Sequence, residues 1–221
     1  MAILQSGSSP GQRIEAGNTV LDRAKGANTA PVKKRLGEFT KEHRAYEKGH
    51  KAASKAREAL FAQERKLGEG DAAQDVALDK LASALVGAGA PRNRPLAGLE
   101  TRSVSELKKL PTLEEADTLI KLAGKCAKHP DAKVKKAAAA CRTAAQAVIA
   151  ASKPLATLAR NFHAAAGARD AVAPRWEKAF AALKQGARSA EHDGATDLLA
   201  ALFEVAATRV KPRKKKPVEG A

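Results

Sequence analysis

The chain has 221 residues, 51 of them alanine, and a formal net charge of +16 from 40 Lys and Arg against 24 Asp and Glu. Aromatic residues make up only 3%, with 11 Val and four Ile, which excludes a ring-rich core and a strand-rich fold and favours Ala-rich helices packed closely through small side chains. Two cysteines cannot staple a fold of this size, and no apolar stretch approaches the roughly 20 residues of a membrane-spanning helix.

Residues 1–30 carry Gly, Ser, Asn and Pro with few large apolar groups and are expected to be disordered, apart from a weak helix around 14–25. Pro31 then opens the strongest helical pattern, predicted over 31–67 and stopped by Gly68. Along it Leu36, Phe39, His43, Tyr46, His50 and Ala53 step by three and four on one face, continued by Leu60, Phe61 and Leu67. The opposite face holds Lys41, Arg44, Lys48, Lys51 and Lys55, within a wedge of about 100° and ~21 Å of helix. Gly68-Glu69-Gly70 reads as a turn. Asp71 with Gln74 reads as a capping box that opens a helix through Val76, Leu78, Leu81, Ala82 and Leu85, so 31–86 is predicted to be a helical hairpin.

Gly87, Gly89, Pro91, Pro95 and Gly98 mark 87–102 as a loop and as the expected internal boundary. Residues 103–209 are predicted to form a helical bundle. It starts with a short helix at Ser103, capped by Glu106 and stopped by Pro111. A helix from Thr112 to about Lys128 follows through Leu113, Ala116, Leu119, Ile120 and Ala123. After His129-Pro130-Asp131 comes another to Ala151 through Val134, Ala138, Cys141, Ala145, Val148 and Ile149. Further helices are expected over 152–166, breaking or bending at Gly167; from Pro174 through Trp176, Phe180 and Leu183 to Gly186; and over 193–209 through Leu198, Leu199, Leu202, Phe203 and Ala206. Residues 210–221 read as a basic disordered tail. The predicted fold is all-α, an antiparallel helical bundle of about six to eight helices with disordered termini.

The string from His129 to Ala139 resembles the inter-helix turn and second helix of a HEAT-type repeat. It has no second copy at a fixed period, whereas a solenoid needs several stacked units. The simpler and favoured reading is a proline-started, Ala-rich helix.

The distribution of charge directs the functional reading. Residues 1–70 carry +6, 71–208 carry +5 and 209–221 carry +5, so 13 residues at the end hold nearly a third of the net charge. Lys211, Arg213, Lys214, Lys215 and Lys216 form a cationic arm, similar in composition to the Lys/Pro-rich tails of linker-histone-like bacterial proteins. Such an arm gains affinity by neutralising phosphates and releasing counterions. With Lys41, Arg44, Lys48, Lys51 and Lys55 it makes a nucleic-acid backbone, DNA or RNA, or another polyanion the expected partner. Little aromatic residue is interleaved, and no helix-turn-helix, zinc finger or RNA-recognition motif is present, so contact is expected without strong sequence specificity.

Other chemistries find weaker support. His43, Glu47 and His50 share a helical side and could present two imidazoles and a carboxylate, but they fall in the apolar seam and lack HExxH spacing; packing explains them. Cys126 and His129 could meet across one turn as a nucleophile pair, yet both cysteines read as reduced, buried and unpaired. Glu114, Glu115 and Asp117 suit the first turn of a helix through its dipole. The glycines of 87–91 follow no strand and precede no Gly-Lys-Ser/Thr, so no phosphate loop forms there. Trp176 reads as a core anchor. No catalytic residue, cofactor or metal is expected, and the start of the chain lacks a signal-peptide pattern, which makes the cytoplasm the expected setting. The alternative is a helical protein–protein interaction or scaffold module whose basic surface is incidental, docking through the Tyr46 and His50 seam of the 31–67 helix.

Overall fold

A computed structural model describes residues 8–195 and 197–203. Among the described residues the chain is all-α, with no strand. The elements are α1 (Pro10–Ala24), α2 (Lys33–Gly87), α3 (Val104–Leu107), α4 (Thr112–Cys126), α5 (Ala132–Ser152), α6 (Leu155–His192) and α7 (Leu198–Phe203), with a 3-10 turn at Ala30–Val32 ahead of α2. They divide into two compact units: one holds the chain up to Ala52 and from Ala166 onward, the other Ala53–Ala165.

Contrary to the expectation from composition, the first unit has an aromatic core, because the few rings of the chain are gathered in it: Phe39, Tyr46, Trp176, Phe180 and Phe203. Phe39, Tyr46 and Trp176 are fully buried with Val20, Val32, Leu183, Leu198 and Leu202. Trp176 stacks on Phe180 at 5.0 Å, and Phe39 meets Trp176 and Phe180 edge-on at 5.7 and 5.5 Å. Such pairs contribute about 0.5–1.5 kcal/mol each beyond area burial. His43 lies beside the indole. Trp176 Nε1–H donates to His43 Nδ1 at 3.0 Å, which places the ring hydrogen on Nε2, 2.9 Å from Asn18 Oδ1. The ring needs Gly17, since a Cβ there would overlap it.

The second unit has an aliphatic core of Leu78, Leu81, Leu107, Leu119, Leu122, Val134, Cys141 and Val148 with interleaved alanines. Here α4 and α5 pack together as a hairpin. The Ser103 hydroxyl and Glu106 carboxylate cap α3 reciprocally, and Asp131 Oδ1 caps α5 by accepting the Lys133 N–H at 2.6 Å.

Several boundaries differ from expectation. Within 1–30, otherwise expected to be disordered, the weak helix expected around 14–25 forms as α1 and starts four residues earlier, at Pro10. Ser9 Oγ accepts the Gln12 N–H, Gln12 Oε1 accepts the Ser9 N–H, Pro10 occupies the first turn and Val20 enters the core. The hairpin predicted over 31–86 is one helix of 55 residues. Gly70 is no turn: a Cβ there would stand 3.2 Å from Val148 Cγ2, so the glycine lets α2 lie close to α5. Gln74 is buried rather than capping, its Nε2 donating to the Thr112 carbonyl at 3.4 Å. Helix α6 runs unbroken through Gly167, Pro174 and Gly186. Pro174 is exposed, so the carbonyl it leaves unpaired four residues back belongs to the solvent-facing Asp170. Gly186 is buried under the Arg35 side chain. The last helix starts at Leu198, not 193, after a reversal through Gly194 (φ 98°); 204–209 lie outside the described residues.

The expected domain boundary at 87–102 also moves. That stretch does connect α2 to α3, but it belongs to the second unit, where Leu96 is buried and the Lys125 ammonium holds the Leu99 carbonyl. The division instead cuts α2 and α6, where helix continues without any shift in composition.

Candidate nucleic-acid interface

The wedge predicted on the first long helix exists on α2. Its positions fall opposite Phe39, His43, Tyr46 and Ala53, all buried, and Lys41, Arg44, Lys48, Lys51 and Lys55 lie on the outer side. Lys41, Arg44, Lys51 and Lys48 belong to the first unit; Lys55 lies on α2 in the second. Lys51 reaches Glu47 at 2.8 Å, and this ammonium holds the Glu47 carboxyl below its ordinary range. Glu42, the other acid of this turn, turns to Arg175 at 3.5 Å. Among the described residues no carboxylate lies within 4.0 Å of Lys41, Arg44, Lys48 or Lys55. Arg44 also edges an open cleft of ≈ 610 Å³ between α1 and α2, beside Asn18, Lys25 and Thr40. The tail cations Lys211, Arg213, Lys214, Lys215 and Lys216 lie outside the described residues.

The seam on the other side of α2 is used internally. Tyr46 is fully buried in the aromatic core, 6.0 Å from Trp176, so it cannot dock a partner as the scaffold reading expects. His43 has both ring nitrogens occupied and burial pushes its pKa down, which keeps it neutral. No group of three His, Cys, Asp or Glu suited to a metal occurs among the described residues. Cys126 and Cys141 are free and buried; burial raises both thiols, Cys141 to about 12, so neither is a nucleophile at neutral pH. His129 accepts the Asp131 N–H on Nδ1 and serves the turn before α5.

Glu114 and Glu115 do stand in the first turn of α4, as expected, but their settings differ. Glu114 faces Arg102 at 3.5 Å, but Glu115 is only 2% exposed. Its Oε1, Gln74 Oε1 and Asp75 Oδ1 are buried without a hydrogen-bond partner. Burial first, then the charges of Asp75 and Asp71, raise the Glu115 carboxyl to about 7. A proton on Glu115 gives the facing acceptors a donor.

Three large apolar side chains assigned to interior faces are exposed instead: Phe61 (51%), Val76 (51%) and Leu113 (46%). The Arg57 guanidinium covers the Phe61 ring at 4.8 Å.

A second group of cations escapes a reading by long segments. From 121 to 142 there are seven Lys and Arg against one acid, Asp131. The +5 of 71–208 hides this, because 71–117 holds eight acids against six cations. A shorter counting window would have found it. Lys121, Lys125, Lys128, Lys133, Lys135 and Lys136 are all exposed, none with a carboxylate within 4.0 Å among the described residues.

No protein family, curated protein or solved structure matches the chain. Fold and surface therefore define a class only: a basic, all-α protein built from helices packed on helices, with cations concentrated on exposed helical faces.

Proposed function

We propose that this protein binds the phosphate backbone of nucleic acid without strong sequence preference and without catalysing a reaction, and that it does so in the cytoplasm. The observation that carries the reading is the outer face of Lys41, Arg44 and Lys48 with no carboxylate within 4.0 Å among the described residues. Cations left unneutralised by their own protein are available to displace condensed counterions from a phosphate chain, and such contacts position without reading bases. The six cations against one acid in 209–221 add a second contribution of the same kind. Free cysteines and the lack of a membrane-crossing helix among the described residues support the proposed compartment.

The test is fluorescence anisotropy of a labelled random-sequence duplex. Replacing Lys41, Arg44, Lys48 and Lys51 with Gln is expected to weaken binding at least tenfold at about 50 mM salt, and removal of 209–221 to weaken it further and flatten the salt slope. Unchanged binding in both variants would remove the proposal. A second reading, a helical interaction module, draws on the exposed Phe61 under Arg57. It predicts no duplex binding, and a protein partner that Phe61→Ser no longer holds.

A further inference from the structure

The turn between α4 and α5 gathers charge in a way that stability does not require. Lys121 and Lys125 stand on the last turns of α4 and Lys128 just past its end; Lys133, Lys135 and Lys136 stand on the first turns of α5. At 1.5 Å per residue each lies within about 10 Å of the turn along its helix axis. Lysine suits the C-terminal end of α4, but three lysines at the N-terminal end of α5 oppose that helix's dipole as well as one another. The single acid of the stretch offsets one of these charges at most: Asp131 accepts the Lys133 backbone N–H and, among the described residues, has no Lys or Arg nitrogen within 4.0 Å. The Lys125 ammonium is held by a backbone carbonyl, that of Leu99, which leaves its charge unneutralised.

We infer that this end of the α4–α5 hairpin is a second, separate binding surface for the phosphate backbone of double-helical nucleic acid. A polyanion turns the mutual repulsion of six ammonium groups, set against one carboxylate, into attraction, and a phosphate backbone supplies regularly spaced charge of the required sign. The whole stretch 121–142 contains no Phe, Tyr or Trp on which an unpaired base could stack, and its one imidazole, His129, is tied to the Asp131 N–H, which favours a duplex over a single strand. The inference rests on the function proposed above and extends it. The second unit carries a phosphate surface of its own, so the chain presents two, a condition under which linked sites raise overall avidity.

Two measurements test it, with DNA duplex, RNA duplex and single-stranded probes as separate arms. In the first, Lys121, Lys125, Lys128, Lys133, Lys135 and Lys136 are replaced with Gln. Duplex affinity is expected to fall at least tenfold at about 50 mM salt, and the slope of log K against log salt to flatten by about 3–5, near 0.9 for each phosphate no longer neutralised. The same six positions as Arg should restore binding. In the second, the unaltered chain is treated with an amine-acylating reagent and mapped by mass spectrometry. Bound duplex should protect these six lysines, while single strands protect them less. Wild-type affinity and slope in the Gln variant, alongside weakened binding in the Lys41/Arg44/Lys48/Lys51 variant, would overturn this surface and leave the first reading standing. No protection in the unaltered chain has the same meaning. If the unaltered chain binds no duplex at all, both readings fall together.

Discussion

At the scale of single residues, two buried groups resist ionisation with opposite consequences for pH. His43 accepts the Trp176 N–H on Nδ1, so protonation would set two donors against each other in a buried site. Its folded pKa lies below the ordinary 6.5 because of desolvation. The unfolded chain therefore takes up the proton first, and the contribution of His43 is complete above pH 6.5 and declines as pH falls below it. Since Trp176 lies in the first unit, its fluorescence in urea should report a midpoint that drops between about pH 7.5 and 5.5. His43→Leu leaves the indole N–H unpaired, which costs about 1–3 kcal/mol, and should remove much of that pH dependence. An unchanged pH dependence in His43→Leu would contradict the assignment. Glu115 runs the other way. Raised from 4.5 to about 7, it keeps its proton in the fold while the unfolded chain loses it, so its contribution is largest below pH 4.5 and lost as pH climbs through 7. Glu115→Gln keeps a neutral donor and should raise stability at about pH 8 by on the order of 2–3 kcal/mol, with little gain at about pH 4.5. Circular dichroism melts at the two pH values check this, and equal gains at both would count against a buried, protonated carboxyl.

At the scale of elements, Pro174 offers a direct test of why α6 continues. Proline inside a helix costs about 3 kcal/mol relative to alanine, offset by about 0.4–1 kcal/mol of unfolded-chain restriction. Because Pro174 is exposed and its neighbours Ala173 and Trp176 are buried, the core contacts hold the helix across it. Pro174→Ala should then stabilise the protein by about 2 kcal/mol, read as a higher melting temperature; a lower one would mean that the proline fixes a needed bend. Other elements show where the sequence was legible. The Ser103–Glu106 cap could be read from local chemistry, as could the break at 129–131 before α5, and so could the buried positions Phe39, His43, Tyr46 and Trp176, the first three at helical spacing. The glycines and proline at 68–70, 167, 174 and 186 misled, because each breaker rule is local. At Gly70 and Gly186 the reason to stay helical is tertiary, Val148 against the one and Arg35 over the other; at Pro174 the freed carbonyl faces solvent; and at Gly68 and Gly167 nothing stands within 4 Å of where a Cβ would be. The unit boundaries were illegible for a related cause, since they fall within helices whose pattern never changes. Of the candidate surfaces, the α2 wedge could be read from spacing alone. The α4–α5 cluster was concealed by averaging its charge with the acids of 71–117.

For the whole molecule, the relevant quantity is where +16 of formal charge resides. Ion pairs at exposed sites contribute little, about 0–1 kcal/mol, and among the described residues they engage a minority of the cations. Unneutralised charge of this size acts on partners more than on fold. The measurement that bears most directly on this is the salt dependence of duplex binding by the full chain, made on two duplexes of unrelated sequence. Backbone binding predicts nearly equal affinity for the two and a fall of about 10²–10³-fold or more between about 50 and 200 mM salt, as four or more phosphate contacts require. Affinity that is insensitive to salt, or confined to one of the two sequences, would contradict it.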